Sequence, residues 1–215
     1  MQNDLFHPDD QDQVYRLSED AVFLPGFIGA QDSELLTALE FVLLQSPLRY
    51  MQTPGGKSMS VALSSCGALG WMSDDKGYRY SYIDSVTGDP WPDMPEVLLQ
   101  LAKSAAQRAG FKDFIPDACL INCYVAGSRM SLHQDNDEWD LTAPIVSISL
   151  GLPADFLWAG FTRSSPKQVL LLQHGDVLVW GGKDRLRFHG IKPLKEGWHP
   201  LTGDCRINLT FRKAR

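Results

Sequence analysis

The chain has 215 residues, 44% of them hydrophobic, and a formal net charge of −6, so one core of ordinary size is within reach without covalent staples. The acidic balance argues against sequence-independent coating of nucleic acid, which rests on many cations facing phosphates, while leaving room for a local basic groove. The four cysteines (Cys66, Cys119, Cys123, Cys205) form no CxxC pair, MQNDLFHPDDQDQ lacks a basic region followed by an apolar run, and no apolar segment is long enough to span a membrane, so the expectation is a soluble, cytoplasmic protein with free thiols and no membrane partner.

Residues 1–18 are polar and aperiodic and are expected to be loosely ordered, leaving 19–215 as a single domain. AVFLPGF reads as a short strand broken at Pro25 and Gly26. From about Asp32 to Gln45, Leu35, Leu36, Leu39, Val42 and Leu43 recur at helical spacing, with Asp32 or Ser33 available as N-cap and Pro47 as the stop. A second helix is predicted from about Asp93 to Ala109, capped by Asp93, with Pro95 in its first turn, Val97, Leu98, Leu101 and Ala105 on its apolar stripe and Gly110 at its end. Between the helices the chain is rich in Gly, Ser, Tyr and Trp, and residues 48–92 read as a loop-and-hairpin lid. After Pro116 the texture changes. DACLINCYV, MSLHQ, PIVSISLGL, ADFLWAG, QVLLLQ, DVLVWGG, LRFHG and CRINLTF are strand-like pieces separated by turns. Such a series over 116–215 predicts a mainly β core, closed or in two sheets, with the jelly roll a strong candidate. No internal repeat is present, which argues against a propeller or solenoid.

Within MSLHQDND, His133 and Asp135 are two apart and on a strand aim to one side. Such a pair begins the facial arrangement of two histidines and one carboxylate that holds non-haem Fe(II) with open positions. Alone, it is a weak signal and reads first as a hydrogen-bonded pair at a strand end. The third ligand would come from His7, His174, His189 or His199. His174, in QHGDV, reads as a turn residue, whereas His189 ends RLRFHG, where alternation would put Arg185, Arg187 and His189 on one face; His189 leads modestly. In RINLTFR, Arg206, Asn208, Thr210 and Arg212 share one strand face and Ile207, Leu209 and Phe211 the other. A guanidinium is a rigid fork matched to a carboxylate, so these two arginines suit the two ends of a dicarboxylic acid, and Asn122 and Tyr124 in LINCY offer neutral hydrogen bonds beside them. The competing reading is a pair of surface arginines in weak ion pairs.

Together, His133-x-Asp135, the distal His189, Arg206-x-Asn208-x-Thr210-Phe211-Arg212 and Asn122-x-Tyr124 resemble the AlkB-type alkylation-repair dioxygenases, which depend on Fe(II) and 2-oxoglutarate. The likeness continues through TPGGKSMSVAL, CGALGW, APIVSISLGLPA and HGDVLVWGG. It implies a mainly β (α+β) fold: a double-stranded β-helix (jelly-roll) core over 116–215 with flanking helices and a nucleotide-recognition lid over 48–92. It assigns His133, Asp135 and His189 to iron, and Asn122, Tyr124, Arg206, Asn208 and Arg212 to 2-oxoglutarate. By the same resemblance Trp71 and His189 enclose the damaged base, Asp137 meets its cationic edge, Tyr78 and Tyr80 belong to the lid, and Thr53 and Arg163 follow the nucleic-acid strand. The implied reaction uses O2 to hydroxylate the alkyl group of bases such as 1-methyladenine and 3-methylcytosine, releasing an aldehyde. Its partner is alkylated DNA, single-stranded or with the base flipped, or alternatively RNA, and the enzyme is expected to be a monomer. Cys123 and Lys57 depart from close bacterial relatives, which carry arginine and tyrosine there. The alternatives are the same chemistry on RNA, protein or a small molecule, and a cupin-like metal-binding module without turnover.

Overall fold

The computed structural model describes residues 13–215, so His7 and most of the segment expected to be loosely ordered lie outside the described residues. Within that segment, Tyr15–Ser18 is a strand, β1, paired with β2 (Ala21–Leu24). The helices α1 (Asp32–Gln45) and α2 (Glu96–Arg108) stand where apolar periodicity put them, but their caps differ from expectation. A 3₁₀ turn, Gly29–Gln31, leads into α1 and puts Gln31 at the cap position, and Asp32 instead accepts from the amide of Ser33 at 2.7 Å. Pro95, not Asp93, precedes α2. Its fixed φ suits a helix entry, and its carbonyl accepts from the amides of Leu98 and Leu99.

The larger sheet runs in the order β1, β2, β12 (Val177–Trp180), β9 (Ile145–Gly151), β14 (Arg206–Arg212), β7 (Ala118–Tyr124), β4 (Ser58–Gly67) and β3 (Arg49–Gln52). The smaller is β11 (Gln168–Leu172), β10 (Ala154–Trp158), β13 (His189–Ile191) and β8 (Met130–His133). A hairpin, β5 (Gly70–Asp74) and β6 (Gly77–Ser81), forms a sheet of its own and is tied to β3 by the Ser73 hydroxyl, which donates to the carbonyl of Gln52 at 2.6 Å. Each strand-like piece predicted after Pro116 supplies one strand of these antiparallel sheets, in keeping with the jelly-roll expectation.

Two expectations need correction. Residues 48–92 are not lid throughout, because β3 and β4 belong to the large sheet and Val61 and Leu63 are buried in the core. The run RLRFHG is not a strand with one polar face. Gly182–Asp184 is a 3₁₀ turn, Arg185 turns into a buried ion pair with Glu138, Arg187 pairs with Asp184, and only His189 and Gly190 enter β13.

Alternation gives the large sheet two apolar faces. On the outer one Cys119, Ile121, Val146, Ile148, Leu209 and Phe211 pack against Leu35, Leu39, Leu98, Leu101 and Ala105 of the helices. On the inner one Leu63, Leu120, Tyr124 and Ile145 meet Phe156, Trp158, Leu170 and Ile191 of the small sheet. The polar row of β14 opens into this inner space.

Candidate active site

β8 and β13 lie side by side with His133 directly opposite His189, which brings the two imidazoles to a centroid separation of 4.4 Å. Asp135 lies just beyond the end of β8, and one ligand atom from each of the three residues falls within 4.8 Å of the others. Each ring is already oriented: Nδ1 of His133 lies 2.9 Å from the carbonyl of Ser131, and Nδ1 of His189 lies 3.1 Å from that of Arg187. A carbonyl only accepts, so Nδ1–H donates in both rings and Nε2 keeps its lone pair for a metal. Two neutral imidazoles and a carboxylate on one face are the ligand set of a non-haem iron site.

The states of His189 and Asp135 agree with that role, while at His133 burial is outweighed by the adjoining Asp135 carboxylate, which raises it. Burial, reinforced by the neighbouring His133, pulls His189 down to about 4. Burial alone would raise the Asp135 carboxyl, yet the Arg212 guanidinium foremost holds it well below the usual carboxylate range. Arg212 reaches Oδ2 of Asp135 through Nε at 3.1 Å and Nη2 at 2.7 Å. Oδ1, 3.5 Å from Nε2 of His133, remains free of the guanidinium.

Facing these ligands is β14. Its register sets Arg206 opposite Tyr124 and Asn208 opposite Asn122, so the row and its two neutral neighbours share a face as the alternation required. Asn208 is tied down by Ser147 at 2.8 Å and by the carbonyl of Ile148 at 2.9 Å. Arg206 is only 1% exposed and sits over the Tyr124 ring at 5.1 Å, with Nη2 donating to Ser149 at 2.9 Å. Its Nε and Nη1 have no partner, and neither has Oδ1 of Asn122. A buried cation with idle donors is costly unless an anion satisfies them. The residues therefore fit a bound carboxylate.

The cavity between them, about 350 Å³, is bounded by the three candidate iron ligands, Asn122, Tyr124, Arg206, Asn208 and Arg212, and towards the solvent by Trp71, Tyr78, Asp137 and Arg163. Trp71 donates Nε1–H to Asp137 at 2.8 Å and stacks on Tyr78 at 5.5 Å. Two residues assigned to the substrate are elsewhere. Thr53 closes its own turn by accepting from the amide of Lys57, and Tyr80 points inward to Glu138 at 2.7 Å, lining a second cavity rather than the first. His174 accepts from the amide of Gly151 and stacks on His199, away from the iron ligands. Cys123 faces the opposite side of β7 from Asn122 and Tyr124, leaving the polar row untouched.

Sequence reasoning missed Glu138. It is buried at the centre of a network with Arg185 at 2.9 Å, Arg212 at 3.3 Å and Tyr80. A third acid closely following Asp135 and Asp137 was the available signal.

Comparison with known proteins agrees with this geometry. Residues 20–212 match the family model of the 2OG-Fe(II) oxygenase superfamily. The chain is 56% identical over 198 residues to the alpha-ketoglutarate-dependent dioxygenase AlkB of Escherichia coli (strain K12), covering 92% of each chain. It is 30% identical over 130 residues to the nucleic acid dioxygenase ALKBH1 of Mus musculus, covering 60% of this chain and 33% of that one. The solved structure of OsALKBH1 superposes with a TM-score of 0.82 at 28% identity, over 94% of this chain and all of that one. The imidazole pair, its carboxylate and the arginine row thus belong to an AlkB-type member of the 2OG-Fe(II) oxygenase superfamily, a dioxygenase that depends on Fe(II) and 2-oxoglutarate.

Proposed function

We propose that this dioxygenase removes alkyl groups from the nitrogens of nucleobases in DNA, with 1-methyladenine and 3-methylcytosine as its type of substrate. The observation that carries the reading is the mouth of the cavity, where an indole and a carboxylate, Trp71 and Asp137, stand next to the iron ligands. Such lesions are planar and positively charged. An aromatic face and a carboxylate attract a planar cation by cation–π and charge interaction. The mouse relative is a nucleic acid dioxygenase, which favours a base over a protein or metabolite.

His133, Asp135 and His189 would hold the iron. Arg206 would take the far carboxylate of 2-oxoglutarate with its idle Nε and Nη1, and Arg212 would stand at the end nearer the metal, beside Asp135. Asn122, Tyr124 and Asn208 complete the pocket by hydrogen bonding and packing. When bound, iron and 2-oxoglutarate activate O2 to hydroxylate the alkyl carbon, and the hydroxylated group leaves as an aldehyde. The chain's own part is placement. Trp71 and His189 would position the base, Tyr78 and Arg163 would line its approach, and the apolar walls Leu120, Phe156 and Ile191 keep bulk water away. A base within a duplex cannot reach this depth, so the nucleotide is single-stranded or flipped. Hairpin β5–β6 then serves as the nucleotide-recognition lid. We further infer a monomer working in the cytoplasm; among the described residues no helix is long and apolar enough to cross a membrane.

The test is a methylated oligonucleotide incubated with Fe(II), 2-oxoglutarate and air. Mass spectrometry is expected to find one methylene lost per lesion with the native protein and none with Asp135→Ala. Intact lesions alongside 2-oxoglutarate turnover prompted by a protein or small molecule would overturn the substrate assignment.

A further inference from the structure

Outside the cavity, one aromatic cluster has no part in the chemistry above. Trp139 is 76% exposed and Tyr82 53% exposed. The guanidinium of Arg215 lies between them, 4.1 Å from the indole centroid and 5.2 Å from the tyrosine ring, with Nη1 donating to the Tyr82 hydroxyl at 3.3 Å. The amide of Trp139 donates to the carbonyl of Ala214 at 3.0 Å, which anchors the indole to the end of the chain. Among the described residues Arg215 forms no ion pair, unlike nearby Arg79, which is held by Asp74. Trp139 and Arg215 border a second cavity, and Tyr78 and Asp137 line both this one and the main one.

Layered planar groups facing solvent, with a cation among them that has no carboxylate partner among the described residues, match the two faces of a nucleotide: rings stack on the base and the guanidinium donates to phosphate. We propose that Trp139, Tyr82 and Arg215 form a stacking shelf for an unpaired base next to the target nucleotide on the same strand. The inference rests on the lesion-site reading, because continuity through Tyr78 and Asp137 is what makes the neighbouring nucleotide the occupant. A base on the shelf leaves its own duplex stack, so the shelf favours single strands. Stacking on a ring face does not read base edges, so the shelf is tolerant of sequence.

The experiment pairs two measurements on native protein, Trp139→Ala and Trp139→Phe. The first is KM and kcat for demethylation of single strands lengthened stepwise from a methylated mononucleotide; the second is fluorescence anisotropy of an unmodified single-stranded oligonucleotide. The native protein is expected to gain affinity with length. Trp139→Ala should lose about five-fold or more of that gain in KM and in anisotropy, with kcat and mononucleotide turnover unchanged, and Trp139→Phe should retain most of it. Identical length dependence in native protein and Trp139→Ala, while demethylation proceeds, overturns the shelf alone. Trp139-dependent binding without any demethylation keeps a single-strand shelf and overturns the lesion reading. A shelf that binds an exposed peptide but no oligonucleotide in the anisotropy assay overturns the choice of occupant.

Discussion

Arg206 and Arg212 sit on the same strand face yet are left in opposite conditions. Arg212 is engaged by Asp135, Glu138 and Tyr80, while Arg206 keeps two idle donors at 1% exposure. A bidentate fork cannot be replaced by a point charge, so Arg206→Lys is expected to raise the KM for 2-oxoglutarate ten-fold or more, read from succinate release, with Fe(II) affinity unchanged. A second residue-scale prediction concerns Asp176, whose carboxylate accepts from the amides of Gly26 and Gln173 but is pushed up by burial to about 6 from 3.8. A carboxyl that is weaker in the folded state takes up its proton there first. Its stabilisation is full below pH 3.8 and is lost as pH rises through about 6, a swing of about 3 kcal/mol at about 1.4 kcal/mol per unit. Urea unfolding of Asp176→Asn between pH 4 and 7 should lack that decline. At this scale the sequence was legible where spacing alone sets direction, as for His133, Asp135 and the β14 row. It was not legible for Tyr80, turned inward by Glu138, a partner 58 positions away. Between His174 and His189 the pattern gave His189 only a modest lead, because the outcome depends on which strands become neighbours.

Among the elements, β14 was the most readable, since each of its faces is buried in a different layer and alternation alone separates them. RLRFHG alternates just as well and is not a strand before His189, because Arg185 is drawn 47 residues across the fold to a buried carboxylate. Pattern cannot register a long-range ion pair. β4 escaped notice because its serines resemble a loop, although Ser64 and Ser65 are wholly buried in the sheet. The contact between β8 and β13 is the one that holds two candidate iron ligands, His133 and His189, together. A Cβ at Gly190 would lie 2.7 Å from the carbonyl oxygen of Met130 and 3.2 Å from the amide of Leu132, both rigid backbone atoms. Gly190→Ala is therefore expected to push the strands apart and weaken Fe(II) binding ten-fold or more in an anaerobic titration, whereas loss of a distant core group should not.

For the molecule as a whole, the large sheet separates two tasks. Helices cover one side and make the core; the other side faces the small sheet and makes the cavity. The candidate iron ligands come from β8, the segment after it and β13, and so are assembled only in the folded chain. A metal that binds the folded form and not the unfolded one stabilises by mass action. Anaerobic Fe(II) at a hundred times its Kd should thus add about 2.7 kcal/mol to the unfolding free energy in the native protein, and nothing in Asp135→Ala, by calorimetry.

The pairing of His133 with His189 across β8 and β13 has one more consequence. Side chains along a strand change sides at every step, so a slip of one position would turn one imidazole away from its partner. Only the native alignment can chelate. The bound ion would therefore act as a proofreader for strand alignment during folding, trapping chains that have paired correctly and leaving misaligned ones to separate and try again.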